Sequence, residues 1–415
     1  MQNKFAIPKY ISNFFWIFSE RGFSLITGVL SSAFLARALS VENYGIFQYT
    51  LSIFSLFLAI TYFCGSEYLT PKIAECSNTH QLSELVSSAF YVRLSFSIFS
   101  SILLILYLLS TKNGYFLIPL IIPLILKEPL SISINWFQAS SKNKIPSNIQ
   151  IFFSTVKLVI IVITYEKLKD NLLFFIIIYC IDFSISPLIL FYFFKKYSKI
   201  KLVSFSSEKY LTTLKTSWKF GIGLIFMISL QKIDKIFLKE SISSYDFGVY
   251  STASQILENT FILVSLFIVL LAPSKVYTKD NINDIKKSVL ELTKFSIAFY
   301  ALIYFFFYLF SEVIFNLVFG AKFQDASQIF MRMGGILFFY TLDISLSTFF
   351  NKISHGGLIM KKWIFSLLIS IILMLVLVPN HGINGAIISI TIGYGFSSLY
   401  SLLNFIKYKP NIFIN

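Results

Sequence analysis

Charge is scarce in this 415-residue chain. Only 13% of its residues are Asp, Glu, Lys or Arg, about half the ~25% of an ordinary soluble domain. That excludes a fold solvated by water alone. Cysteine and histidine are also rare. Cys64, Cys76 and Cys180 and the three histidines His80, His355 and His381 stand singly, which excludes a disulfide framework or a zinc site by spacing. A phosphate-cradling glycine loop is missing too. The segment GIGLIF at 221–226 lacks the third glycine and sits in an apolar run. The outer loops between the apolar runs are short, which leaves little room for soluble chemistry. No catalytic residue, resident metal or cofactor is expected, and the chain is not read as an enzyme.

Hydrophobic residues, by contrast, make up 56% of the chain and aromatics 18%. Windows long enough to cross a bilayer fall near 11–36, 44–66, 87–110, 115–138, 148–165, 171–194, 214–238, 247–272, 288–311, 327–350, 361–379 and 382–406. They lack the two-residue alternation of a membrane barrel. The expected fold class is therefore an all-α membrane protein. It has about twelve transmembrane helices in two six-helix lobes around a central cavity. The first window is too long for a signal peptide and is read as an uncleaved helix.

Basic residues set the orientation. Alternate loops, starting with the one bearing Lys4 and Lys9, hold 21 lysines, while the opposite loops hold only 6 basic residues. By the positive-inside rule both termini face the cytoplasm. The net charge of +15 is then mostly a rim against anionic headgroups, densest over Lys195–Lys219, and nucleic acid is not an expected partner.

The basic stretch divides the chain into a lobe at 1–194, a cytoplasmic linker at 195–213 and a lobe at 214–415. SVENYGIFQYTLSIF follows the first window and SSYDFGVYSTASQIL the seventh, with Gly45 and Gly248 in matching places. Each glycine allows a tight turn or a close helix approach at the outer face. Parallel six-helix repeats place a cavity between two bundles, which is a transporter architecture.

Several charges fall inside the windows: Glu20 and Arg21, Lys127 and Glu128, Lys157, Asp182, Glu258, Asp343 and Arg332. Each costs about 2.5–3.5 kcal/mol at the bilayer centre on insertion scales, so such residues face a bundle interior or a wet cavity. Glu20 and Arg21 point about 100° apart on a helix and must find partners elsewhere. Candidate structural pairs are Arg21 with Asp182 and Lys157 with Glu128. In the fourth window Lys127 and Glu128 nearly cancel the apolar gain, and Pro119, Pro123 and Pro129 predict a kinked or broken helix. Arg332 and Asp343, if on one helix, return to nearly the same face about 16 Å apart. Lys232, Lys235, Arg93 and Lys219 are placed near window ends, where long side chains snorkel. Trp136 is expected at the inner mouth as an interfacial anchor or a sugar-stacking face.

The stretches FLARALSVENYGIFQYTLSIFSLF, SLQKIDKIFLKESISSYDFGVYSTASQI and VIFNLVFGAKFQDASQIFMRM resemble polysaccharide-exporting flippases of the Wzx type. These belong to the MOP superfamily, with MATE exporters and the lipid II flippase MurJ. The resemblance implies alternating access in a bacterial inner membrane and transport of an undecaprenyl-pyrophosphate-linked oligosaccharide, an O-antigen or similar repeat unit. Membrane lipids and the glycan polymerase and chain-length machinery are the partners it implies. On that reading Arg21, Lys127, Lys157 and Arg332 bind substrate. Glu20, Glu128, Asp182, Glu258 and Asp343 serve as structural or coupling charges, with H+ or Na+ as a candidate coupling ion. The alternatives are a MATE-like exporter, which favours an acidic chamber, and an O-antigen polymerase.

Overall fold

The computed structural model describes residues 9–76, 78–111, 114–198, 200–353 and 355–408. Lys4, Lys112, Lys199 and Lys409, which entered the orientation count, lie outside them. Helices are the regular structure of the described residues, with no strand among them. In chain order the helices are α1 (Lys9–Ala38), α2 (Val41–Ala59), α3 (Ser66–Glu75), α4 (Thr79–Ser110), α5 (Ile121–Leu130), α6 (Ile132–Ala139), α7 (Lys144–Thr164) and α8 (Leu172–Ser198). They continue as α9 (Ser207–Lys239), α10 (Ser244–Ala272), α11 (Ile282–Phe319), α12 (Ala326–Arg332), α13 (Gly334–Lys352) and α14 (Gly356–Lys407). A 3-10 turn, Gly114–Leu120, leads into α5.

Among the described residues, seven helical stretches are long and apolar enough to cross a membrane, or eight if the bent α12–α13 pair is one span. Each expected window falls mainly on helix. The remainder of the count has two causes. First, α14 is 52 residues long and holds the last two windows; it is split at Gly382 (φ 50°, ψ −125°), just after Pro379. A left-handed φ is open to glycine without strain, so the chain reverses there without leaving a long loop. Second, α1, α2 and α9 carry too many polar residues to pass alone and depend on protein neighbours. The 44–66 window ends early, at Ala59, and continues as turns. On α11, Leu302, Phe305, Phe306, Leu309, Val313 and Leu317 stand 52–72% exposed, a surface that only hydrocarbon would cover.

Two compact units divide the chain. Residues 1–39 and 50–225 form the first, and residues 40–49 with 226–415 the second. The division falls inside α9, and the non-helical part of the expected 195–213 linker comes down to residues 200–206 among those described. Within the first unit α1 packs on α7, α4 on α5, α5 on α8 and α7 on α8. Within the second, α13 packs on α14 and α11, and α10 on α12 and α13. Buried hydroxyls turn back to their own helix: Thr341 donates to the Leu337 carbonyl at 2.8 Å and Ser389 to that of Gly385 at 2.7 Å. Internal satisfaction of this kind lets small polar residues sit at close helix contacts within lipid.

The first unit contains a span interrupted at one residue, and the second a span that is bent. In the first, Pro129 cannot continue the ladder, and α5 stops one residue before Ser131. In the second, α12 and α13 meet at Met333 with a 50° bend. Tyr304 donates to the Met331 carbonyl at 3.1 Å and Tyr300 to that of Gly334 at 3.2 Å. Two tyrosines of α11 thus hydrogen-bond to backbone carbonyls on either side of the bend.

Candidate functional site

Lys127 lies halfway along the 26-residue span Gly114–Ala139. Its Nζ stands 4.3 Å from the Phe183 ring centroid and 6.0 Å from that of Phe54. Those two rings are stacked 5.3 Å apart at an interplanar angle of 10°. Among the described residues the Lys127 ammonium makes no ion pair and no hydrogen bond. Aromatic faces return about 0.5–2 kcal/mol to an ammonium, well short of the solvation that it gives up. The residue as a whole is half-buried.

Lys157 behaves differently. Its Nζ is 2.7 Å from Asp182 Oδ2, with the two side chains 14% and 15% exposed. It also faces the Tyr179 ring at 4.7 Å and the Phe183 ring at 6.0 Å. Lys157 therefore pairs with Asp182 rather than with Glu128, and Arg21 does not take Asp182. Glu128 instead sits 3.8 Å from Arg93. Arg21 is exposed and forms no ion pair among the described residues. Its neighbour Glu20 accepts a hydrogen bond from Ser24 at 3.3 Å.

Arg93 does not snorkel: it is 3% exposed. It donates to the carbonyls of Phe63 (3.2 Å), Cys64 (2.6 Å) and Glu128 (3.2 Å), to Ser131 Oγ (2.6 Å) and to Asn135 Oδ1 (3.2 Å). These acceptors belong to the turns after α2 and to the α5–α6 break, backbone that hydrocarbon would leave unsatisfied. One guanidinium closes both. Trp136 is likewise no sugar platform. It is 7% exposed, in a core cluster with Phe137 and Phe194.

In the second unit the acids are taken by lysines. Glu258 meets Lys232 at 2.6 Å and Lys235 at 2.8 Å. The Lys235 side chain is only 1% exposed, so burial rules out its expected snorkelling. Tyr250 donates to Asp234 Oδ2 at 2.5 Å. Asp343, fully buried, is paired at 2.7 Å with Lys362, which the orientation count had placed on the cytoplasmic rim. Arg332 and Asp343 share no wall, because the bend at Met333 puts them on different helices. Arg332 is exposed and donates to Asn384 Oδ1 at 3.1 Å.

Gly45 and Gly248, both in the second unit, meet directly. A Cβ on Gly45 would lie 3.0 Å from Gly248 Cα, and one on Gly248 would collide with the Val41 carbonyl. Beside them Gln48 donates to Gln255 Oε1 at 2.7 Å, and Tyr44 donates to the same oxygen. A groove of about 560 Å³ on α13 and α14 is walled by Phe339, Leu342, Phe396 and Leu399. Its Thr391 and Ser398 hydroxyls are spent on carbonyls of their own helix, so it offers hydrocarbon surface alone.

Sequence reading missed Arg93, Lys235 and Lys362 as buried partners, and Lys232 as a partly buried one. The one signal for Arg93 was its depth inside the 87–110 window.

Solved structures with this arrangement of helices are known. The lipid II flippase MurJ in an inward closed conformation is 18% identical, covers 95% of this chain and 88% of its own, and gives a TM-score of 0.74. A multidrug resistance MATE family transporter in an outward-facing conformation is 13% identical (97% and 98% covered, TM-score 0.66). A MOP superfamily transporter from Pyrococcus furiosus, described as having reversed polarity of its binding pocket, is 12% identical (97% and 95%, TM-score 0.65). At such identities the likeness establishes a shared two-lobe fold. No curated protein matches the sequence. The family model for polysaccharide biosynthesis proteins matches residues 10–274, a stretch that holds Arg21, Lys127, Lys157 and the Gly45–Gly248 crossing, and the chain belongs to that family.

Proposed function

We propose that the protein is a flippase. It carries an undecaprenyl-diphosphate-linked oligosaccharide from the cytoplasmic to the periplasmic leaflet of a bacterial inner membrane by alternating access, with both termini cytoplasmic. The single observation that carries this reading is Lys127: a mid-span ammonium with aromatic walls and no acid partner among the described residues. A phosphate oxygen accepts a charge-assisted hydrogen bond from such a group. Arg21, exposed on α1, offers a second such donor. The diphosphate binds these cations while the polyprenyl tail stays in lipid. The family match to polysaccharide biosynthesis proteins and the flippase fold of MurJ support the same class of substrate, and a glycan polymerase would receive the product.

A MATE-like exporter of cations fits less well. Asp182, Glu258 and Asp343 each hold an ammonium already, which leaves no acidic chamber among them. The same pairing disfavours Na+ or H+ exchange at these carboxylates. The membrane potential, inside negative, instead helps an outward-moving anion by about 2.3 kcal/mol per charge per 100 mV. No step in this cycle is enzymatic.

The test is a cell lacking its own flippase, complemented with the wild type and with Arg21→Ala and Lys127→Ala. Surface glycan should return with the wild type and fail with Lys127→Ala. Equal restoration by all three removes the phosphate site; no restoration by any of them removes the substrate assignment.

A further inference from the structure

Lys127 and Lys157 border the same ring, that of Phe183, yet one has no acid partner and the other is bound to Asp182 at 2.7 Å. Glu128 does not even out this asymmetry: it is turned toward Arg93 at 3.8 Å and accepts from Ser131 Oγ at 3.1 Å. A site meant only to hold a diphosphate would leave both ammoniums open, and a purely structural cluster would pair both.

We propose that Asp182 is a resident competitor of the substrate. Its carboxylate occupies the position on Lys157 that a phosphate oxygen takes during loading, so that binding exchanges one ion pair for another. This rests on the diphosphate-lipid reading above. Carboxylate and phosphate oxygens make the same short, charge-assisted hydrogen bond to an ammonium. The exchange therefore keeps Lys157 paired in both states, and an empty carrier does not leave two bare cations at membrane depth. Lys127 supplies the first contact. Displaced Asp182 then repels the bound diphosphate, which holds affinity down to a level from which the substrate can leave. A carrier, like a channel, needs binding strong enough to load and weak enough to release.

The experiment uses purified full-length protein in detergent and farnesyl diphosphate as the probe, with farnesol as the control for tail binding. Calorimetry gives Kd for the wild type, Asp182→Asn, Lys157→Gln and the double variant. Asp182→Asn should bind the diphosphate about tenfold tighter or more with farnesol unchanged, and Lys157→Gln should weaken it. In the double variant the gain from Asp182→Asn should vanish, because the competitor has lost its target. Asp182→Ser replaces Asp182→Asn if the amide variant does not fold. A folded Asp182→Asn that binds no tighter, or whose gain survives in the Lys157→Gln background, overturns the proposal and leaves the substrate reading standing. No farnesyl diphosphate binding by any form overturns both.

Discussion

Lys362 Nζ lies 2.7 Å from Asp343 Oδ2, and the two side chains are 2% and 0% exposed. Ser347 and Ser401 complete the enclosure, their hydroxyls 2.6 and 3.4 Å from the ammonium. Three helical segments thus meet on one ion pair: α13 and both limbs of α14. Removing one partner leaves a bare charge with no route to water, which costs about 3–5 kcal/mol, whereas replacing both by apolar residues is often near neutral. Lys362→Met and Asp343→Leu should each lower the melting temperature in detergent sharply. The double variant should recover most of that loss.

Lys127 should show the opposite balance. Its ammonium lacks an ion-pair partner among the described residues, so Lys127→Met should melt no lower than the wild type while losing glycan export in the complementation assay. Stability given up at a working position is the usual trade. A variant that loses both export and stability would make Lys127 a structural residue.

Arg93→Lys should fail to replace arginine. Five acceptors surround the guanidinium, and a lysine offers three donors from one point. Each buried acceptor left unpaired costs about 1–3 kcal/mol. Yield of folded protein and melting temperature should fall for Arg93→Lys almost as far as for Arg93→Met.

Gly248→Ala should be worse than Gly45→Ala. The added methyl at 248 runs into the Val41 carbonyl, while the one at 45 meets Gly248 Cα at 3.0 Å and a phenylalanine ring that can give way. Overpacking of this kind costs about 1–3 kcal/mol. Parallel melting curves of the two variants give the order directly.

Much of this architecture could be read from composition and periodicity, because lipid imposes long apolar windows whatever the tertiary fold. The break near Ser131 was legible through Pro129, a residue with no N–H to give. The bend at Met333 was not, since no proline marks it and the tyrosines that bond its two sides come from another helix. Pairing was the least visible property. Lys362 follows Lys361 at a span end and counts as a rim residue on any local reading; only the fold of α14 onto α13 brings it to Asp343. Lys235 and Glu258 are likewise joined by packing of α9 on α10, which a one-dimensional pattern does not encode. Lys127 was legible as a charge beside prolines, but its lack of a partner was not.

Arg93 also sets a timetable for synthesis. Its acceptors on the α5–α6 segment trail it by 35 to 42 residues. At roughly 5–20 residues per second, a nascent chain carries that guanidinium for several seconds before Glu128 and Asn135 emerge. The Phe63 and Cys64 carbonyls are made before Arg93 and can receive it first, so the fourth hydrophobic segment completes an enclosure that the second has begun.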